Sequence, residues 1–287
     1  MQWKGRRGSR NIEDRRSSGG SRRGRGLGGA GSLGGMGLLA FLVLGYVFGI
    51  DVTPFLQDQG GRTSAPAEVS AQDRQAGAFV SVTLADTEEV WAEVFKAQVG
   101  RPYRPATLVL FSGSTASPCG GASGATGPFY CPADRKAYLD TAFFTTLEQR
   151  LGAKGDFAAA YVVAHEIAHH VQNELGILGQ ANTIRQQVSE AQSNEISVRL
   201  ELQADCYAGI WAKEAQARFA SIDPGDLEEA VNAARQIGDD TLQRNAGRQP
   251  MPHTFTHGTS KQRSAWFLRG YKSGQIRDCD TFATSRL

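Results

Sequence analysis

The sequence predicts a mostly helical α+β protein with a small β-sheet, preceded by one transmembrane helix. Three observations give this prediction: helical periodicity dominates the second half of the chain, short β-rich runs such as TLVLF at residues 107–111 precede it, and residues 33–50 carry no charge. The chain has 287 residues and 40% hydrophobic content, which is enough for one sizeable folded domain.

The uncharged segment, residues 33–50, reads LGGMGLLAFLVLGYVFGI. As a helix it would extend about 27 Å, close to the hydrocarbon thickness of a bilayer. A buried core helix and the apolar region of a cleaved signal peptide are the alternatives. Its five glycines argue against a soluble helix, and no small-x-small cleavage site precedes Asp51 and Pro54. We therefore predict an uncleaved anchor within residues 27–50.

The first 26 residues hold nine Lys or Arg against two acidic residues, and they contain few apolar side chains. This composition predicts a disordered tail. Basic flanks stay on the cytoplasmic side, so we expect the tail inside and the chain after Asp51 outside, in the periplasm or beyond the cell. The tail would contact anionic lipid headgroups, and nucleic acid is not expected as a partner. Residues 51–75 read as a flexible linker and residues 76–287 as the domain.

Four cysteines, an even number, fit two disulfides in an exported domain. Cys119 and Cys131 flank a Gly/Ser-rich loop, which leaves Cys206 and Cys279 as the second pair. Four buried thiols in a cytosolic protein are the alternative. A cysteine-based zinc site is disfavoured because the sequence has no C-x-x-C spacing.

Within the domain, apolar spacing and capping residues predict a series of helices. The first, residues 76–98, is expected to break near Asp86. The others are residues 141–151, 156–175, 189–219 and 223–237, and a last one capped at Thr259 or Ser260.

The helix predicted at 156–175 contains His165-Glu166-Ile167-Ala168-His169. Positions i and i+4 share one helix face, so both histidines can reach one zinc ion at about 2.0–2.1 Å. Glu166 lies beside that face, where a general base is needed. His170 is rotated about 100° away and is expected at the surface or behind a ligand, not on the metal.

A catalytic zinc site needs a third protein ligand. The helix at 189–219 offers Glu201 and Asp205, which share a face at i and i+4 within an apolar stretch. One carboxylate can bind zinc while the other orients a ligand histidine. We assign Glu201 to the metal and Asp205 to the orienting role; two solvated helix charges are the alternative.

At these motifs the sequence resembles the putative neutral zinc metallopeptidases, a family of bacterial membrane-associated proteins. The resemblance covers roughly residues 76–274. Its motifs, in order, are FVSVTLADTEEVW, TLVLFSG, CGGASGATGPFYCPADRKAYLD, GDFAAAYVVAHEIAHHVQN, LELQADCYAGIWA and FTHGTSKQRSAWFLRG. It implies a zincin-like domain, and its Glu-x-x-x-Asp pattern, similar to that of gluzincin-type peptidases, implies the roles given above to Glu201 and Asp205.

His257 lies in the last of these motifs, in a loop before a helix, and is our candidate to stabilise the oxyanion. A structural histidine in a capping loop is the alternative. Arg263 is a lesser candidate, and it can instead pair with an acidic neighbour. His253 falls outside the motif.

The sequence thus predicts a membrane-anchored zinc endopeptidase with one zinc ion held by His165, His169 and Glu201, with Glu166 as general base. Its substrate would be a peptide or protein, held as an extended strand at a sheet edge. The main alternative is a catalytically silent, zinc-binding, membrane-tethered binding or assembly factor. An anchored nucleic-acid binder, recognised by salt-dependent binding through the Arg tail, ranks below both.

Overall fold

The computed structural model describes residues 1–17, 69–123, 127–285 and 287. It confirms a mostly helical α+β fold with a small sheet. The strands are β1 (Ile12–Asp14), β2 (Thr107–Phe111), β3 (Ser114–Ser117), β4 (Gly120–Ser123), β5 (Phe129–Cys131) and β6 (Lys136–Asp140). The helices are α1 (Ala71–Val94), α2 (Ala142–Gln149), α3 (Asp156–Glu174), α4 (Ile177–Arg185), α5 (Glu190–Phe219), α6 (Asp226–Gln236), α7 (Asp239–Asn245) and α8 (Ser260–Ser273).

Four strands form the main sheet in the order β1-β2-β6-β5, and β3 and β4 form a separate antiparallel hairpin. β1, β2 and β6 run parallel, whereas β5 is antiparallel to β6, with Tyr130 opposite Ala137. In each of the central strands β2 and β6, four of the five residues are buried. β1 and β5 therefore form the two edges of this sheet.

The predicted disorder of residues 1–26 is wrong for residues 1–17, which lie folded against the domain. β1 pairs with β2, with Ile12 opposite Leu108. The Arg6 guanidinium binds both carboxylate oxygens of Asp86, at 2.7 and 2.6 Å. Composition gives the wrong prediction here because the stabilising partners are distant in sequence. The basic side chains pair with acidic residues of α1, and β1 pairs with the edge of β2.

α1 begins at Ala71, within the predicted linker, and continues without the expected break at Asp86. Ser70 caps it by accepting a hydrogen bond from the Asp73 amide. Asp86 is tolerated in mid-helix because its carboxylate is buried against Arg6. The helix continues as a π-turn at Phe95–Val99 and ends at Gly100 in the left-handed region, with φ of 77°.

The two helices that carry predicted site residues near α3 begin with capping boxes. Ser189 caps α5 through Gln192, and Thr259 caps α8 through Gln262, each by reciprocal side-chain and backbone hydrogen bonds. These caps fix where each helix begins, and therefore which of its residues face α3. α4 and α7 are short helices that the sequence pattern did not predict.

α5 and α8 cross at two glycines. A Cβ atom on Gly270 would lie 1.8 Å from the Cys206 carbonyl oxygen, and one on Gly209 would lie 2.0 Å from the Phe267 carbonyl oxygen. Beside this crossing, Cys206 is disulfide-bonded to Cys279, which ties the C-terminal segment to α5. The crossing brings the side chain of Arg263, on α8, to Asp205, on α5.

No helix in residues 1–17, 69–123, 127–285 and 287 is both long and apolar enough to cross a membrane. The predicted anchor at 33–50 and most of the predicted linker lie outside the described residues.

The α5–α8 crossing predicts that Gly270→Ala destabilises the fold. The added methyl group meets backbone atoms, which cannot move aside as a flexible side chain can, so the free energy of unfolding should fall by at least about 1–3 kcal/mol. Gly179→Ala is the control, because a Cβ there meets no atom within 4 Å and Gly179 is an exposed residue of α4. Alanine in a helix is favoured over glycine by about 0.5–1 kcal/mol. Denaturant unfolding measures both, and equal stability of the two variants would contradict the close crossing.

Candidate metal centre

α3 and α5 bring three predicted metal ligands together. His165 and His169 lie on successive turns of α3, with ring centroids 4.8 Å apart, and Glu201 approaches them from α5. His165 Nε2 is 3.0 Å from Glu201 Oε2, and His169 Nε2 is 3.4 Å from Glu201 Oε1. Donor atoms around a tetrahedral zinc ion are about 3.3 Å apart, so the spacing of these three side chains suits one zinc ion.

The far nitrogen of each histidine faces a hydrogen-bond acceptor. His165 Nδ1 lies 2.9 Å from Asp205 Oδ1, and His169 Nδ1 lies 2.9 Å from Gln172 Oε1. Each Nδ1 therefore donates its proton, which leaves the Nε2 lone pair directed at Glu201. Two lone pairs facing a carboxylate repel one another, and a cation between them removes that repulsion. The donor set therefore fits a bound divalent metal ion.

Asp205 accepts hydrogen bonds from several buried groups. Besides His165, the Tyr161 hydroxyl donates to Oδ1, and Arg263 donates through Nε to Oδ2 at 2.8 Å and through Nη2 to Oδ1 at 3.0 Å. Asp205 and Arg263 are both buried. The ionised form is stabilised because, although burial opposes it, the Arg263 charge and its other partners lower the pKa of Asp205. Arg263 thus pairs with an acidic neighbour, which was the alternative to an oxyanion role.

Glu166 is buried in the same region, and within the described part of the chain its carboxylate makes no hydrogen bond or ion pair. Burial raises the pKa of Glu166, while the neighbouring His169 and His165 oppose this shift. A carboxylate that gives up hydration without a fixed partner is a stronger base than one in water. Its position and its raised pKa fit the predicted role of general base.

The electrostatics of the three-residue cluster favour positive charge. Burial opposes protonation of His165, but hydrogen bonds to Asp205 and Glu201 raise its pKa to about 9. Burial likewise acts against ionised Glu201, yet His169 and His257 hold its pKa well below the ordinary value. Zinc binds the neutral form of histidine, so metal binding should displace any proton that His165 holds on Nε2.

His257 lies on the loop before α8, and this loop packs against α5. A Cβ atom on Gly258 would lie 3.2 Å from the Val198 side chain and 3.3 Å from the Leu202 side chain. Both residues are on α5, one before and one after Glu201. Burial disfavours charged His257, but the carboxylates of Glu201 and Asp239 raise its pKa. The structure thus brings His257 into electrostatic contact with the cluster. His253 lies elsewhere, on a 3₁₀ turn whose carbonyl accepts from Asn194.

Asp239 at the start of α7 holds the His257 loop in place. Its Oδ2 atom accepts hydrogen bonds from the backbone amides of Thr256, His257 and Gly258, at 2.6–2.9 Å. Its Oδ1 atom lies 3.2 Å from His257 Nδ1. Nδ1 therefore carries the proton that faces Asp239, and Nε2 is the remaining nitrogen for any contact with a substrate.

His170 is not on the surface, which was one of the two expected locations. Its Nε2 lies 2.7 Å from the Arg104 carbonyl oxygen and its Nδ1 lies 3.0 Å from the Tyr130 hydroxyl. Burial lowers the pKa of His170, so the neutral ring donates through Nε2 and accepts through Nδ1. His170 thereby links α3 to the edge strand β5.

Sequence reasoning did not assign a role to three polar residues of this region, Tyr161, Gln172 and Asp239, and it did not predict that His170 links α3 to β5. Tyr161 lies four residues before His165, and Gln172 lies three residues after His169, which places each beside its histidine on α3. That spacing was a usable signal. The sequence held no comparable signal for Asp239, because its partner His257 is 18 residues away in a loop.

A second acidic cluster lies at the beginning of α3. Asp156, Asp226 and Glu229 are close enough to hold a cation. The Met1 ammonium binds Asp156 at 2.9 Å and Asp226 at 3.0 Å, and Glu229 accepts from the Phe157 amide. These contacts already give the acidic groups partners, so the cluster is a packing site for residues 1–17.

Both predicted cysteine pairs form disulfides. Cys119 is bonded to Cys131 at the end of β5, and Cys206 to Cys279. The second bond follows Asp205 directly, and Gln203, also on α5, donates a hydrogen bond to the Cys279 carbonyl oxygen. The C-terminal segment is therefore fastened to the helix that carries Glu201 and Asp205.

Comparisons with known proteins agree with the chemistry of this centre. The chain is 43% identical over 291 residues to the Escherichia coli K12 protein "Uncharacterized protein YpfJ", covering 99% of this chain and 100% of that protein. It is 41% identical over 236 residues to "Uncharacterized protein Rv2575" of Mycobacterium tuberculosis, covering 79% of this chain and 75% of the relative. No solved structure matches. Residues 1–282 match the family described as putative neutral zinc metallopeptidase, so the match also includes the N-terminal segment. The chain belongs to the putative neutral zinc metallopeptidase family.

Proposed function

We propose that this protein is a zinc-dependent endopeptidase that binds one zinc ion through His165, His169 and Glu201. The observation that carries the proposal is the convergence of two histidine Nε2 atoms and one carboxylate, with a buried Glu166 beside them. When bound, zinc supplies an acidified water and a Lewis acid that polarises the substrate carbonyl.

Glu166 moves the proton in this mechanism. Its carboxylate takes a proton from the attacking water and passes it to the leaving amine. Burial suits the first step, because it raises the pKa of Glu166 and so makes its carboxylate a stronger base. Asp205 and Gln172 fix the ring orientation of the two histidines, and Arg263 keeps Asp205 ionised.

His257 is the proposed donor to the developing oxyanion. Its Nδ1 is occupied by Asp239, so a protonated ring has its Nε2–H available. The carboxylates of Glu201 and Asp239 favour this protonated form. Asp239 therefore acts as a positioning residue for His257.

The substrate is proposed to be an extended peptide paired with the edge of β5. β1 covers the opposite edge of the sheet, while β5 pairs on one side with β6. Tyr130 on β5 hydrogen-bonds to His170, one residue after the ligand His169, which keeps this edge at a fixed position relative to α3. Strand addition supplies sequence-independent hydrogen bonds, as an endopeptidase needs.

Membrane attachment through residues 33–50, with the domain outside the cytoplasm, is also part of the proposal, but the cytoplasmic placement of residues 1–17 is not, because β1 pairs with β2 of the domain. The uncharged apolar run and the two disulfides support it. Anionic lipid headgroups are the proposed partners of Arg22, Arg23 and Arg25, which lie outside the described residues.

The zinc site is tested by Glu201→Gln in the full-length chain, with Glu195→Gln as the matched control. Glu195 is an exposed residue of the same helix that pairs only with Arg199 among the described residues. The native chain and the control should bind one zinc ion. Glu201→Gln should lower zinc affinity by at least about 100-fold, since outer partners alone contribute about 10–100-fold. Competition with a chromophoric chelator measures this, and equal affinity of the two variants would exclude Glu201 as a ligand.

Peptidase activity is tested by Glu166→Gln on a peptide library, with mass spectrometry of the products. Cleavage should require zinc and should fall by about 10²–10⁴-fold in the variant, the usual contribution of a general base. Zinc content must remain at one ion, which separates lost catalysis from a lost site. If the variant retains every activity of the native protein, the silent zinc-binding tethered factor becomes the better description.

The role of His257 is tested by the pH profile of Asp239→Asn. Loss of the Asp239 charge lowers the pKa of His257, so its protonated form disappears at lower pH. If protonated His257 acts on the oxyanion, the alkaline decline of kcat/KM should move to lower pH in the variant. An alkaline decline at the same pH in both proteins would assign His257 to the capping loop alone. Asp240→Asn, at the neighbouring position, is the control.

A further inference from the structure

Residues 1–17 contact the domain at points spread along their whole length. The Gln2 amide donates to the Ser221 carbonyl oxygen at 2.8 Å, and the Ser9 amide donates to the Ser81 carbonyl oxygen at 2.9 Å. The Leu108 amide donates to Asn11, and the Arg15 amide to Leu110, so β1 is hydrogen-bonded at both of its ends. This segment is built into the domain as a strand and its lead-in.

The polar contacts include one ion pair with a buried carboxylate, Arg6–Asp86. Asp86 is 3% exposed, and its carboxylate is bound on both oxygens by Arg6. Arg7 pairs with Glu89 at 2.6 Å, and Asn11 donates to Glu88 at 2.8 Å. Without Arg6, α1 would hold a buried acid that lacks its cation, which is costly in any folded domain. The domain therefore depends on this segment for charge balance as well as for a sheet edge.

The C-terminal end of this segment lies, in space, beside the first turns of α1. The Arg16 guanidinium donates to the Asp73 carbonyl oxygen, and a Cβ atom on Gly77 would lie 2.6 Å from Arg16 Nη2. Arg16 and the first two turns of α1 are thus in direct contact. Arg16 and Asp73, which lie on either side of residues 18–68 in the sequence, are therefore neighbours in the structure.

We infer that residues 1–17 and the metal-site domain lie on the same side of any membrane to which this protein is attached. Hydrogen bonds of about 3 Å cannot extend across a hydrocarbon core of about 30 Å. A single crossing between Arg16 and Asp73, with the N-terminal segment in the cytoplasm and the domain outside, is incompatible with these contacts. Any crossing by the intervening chain must be matched by a return. The inference concerns topology and does not depend on peptidase activity.

An engineered disulfide tests the inference in the full-length chain in its native membrane. A Cβ atom on Gly8 would lie 3.4 Å from Ser81 Cβ, close to the separation of about 3.5–4.5 Å found in disulfides. We expect Gly8→Cys with Ser81→Cys to form a bond, after mild oxidation, in most molecules. Gly5→Cys with Ser81→Cys is the matched control, because a Cβ on Gly5 has no atom within 4 Å. The four native cysteines are already bonded to one another.

The readout is the peptide pair cross-linked between positions 8 and 81, identified by mass spectrometry after non-reducing digestion. Absence of this cross-linked pair when both introduced thiols remain reactive would overturn the inference. A second measurement avoids the interface: Lys4→Cys and Thr183→Cys are single exposed sites on the segment and on the domain. A membrane-impermeant maleimide applied to intact cells should label both or neither. Labelling of Thr183→Cys without labelling of Lys4→Cys would place the two sites on opposite sides of the membrane and contradict the inference.

Discussion

The buried carboxylate of Asp205 is the group around which the candidate metal centre is arranged. It accepts hydrogen bonds from His165, Tyr161 and two nitrogens of Arg263, and these groups come from α3 and α8 while Asp205 itself lies on α5. A buried charge is tolerated only when its lone pairs are satisfied. The three helices must therefore keep one relative position, and that position also sets the distance from His165 to Glu201.

Several features hold the three helices in that position. Gly209 and Gly270 allow the backbones of α5 and α8 to approach closely enough for Arg263 to reach Asp205. The Cys206–Cys279 disulfide fastens the C-terminal segment at the residue next to Asp205. The site thus rests on rigid helices and not on loops, apart from His257, which Asp239 restrains through three backbone amides.

The sheet also packs against α3, through β5 and β6. Its two edges have different surroundings: β1 pairs with β2 at one edge, and β5, at the other edge, is connected to α3 by the hydrogen bond between Tyr130 and His170. Covering one edge removes a template for unwanted pairing. Membrane topology and domain structure are therefore linked through β1, because a strand must be on the same side as its sheet.

The sequence by itself determined the helix-borne chemistry of this protein. His165, His169, Glu201 and Asp205 are paired at i and i+4, and helical geometry alone puts each pair on one face. The mostly helical fold class followed from equally local patterns, and the pair Cys206–Cys279 was what remained after Cys119 was paired with Cys131 across a short loop. Only the tertiary structure decided that Arg263 pairs with Asp205, that His170 is buried against β5, and that residues 1–17 form a strand. Each of these depends on partners far along the chain, and composition or periodicity within a short window carries no information about which distant charge, edge or carbonyl a side chain will meet.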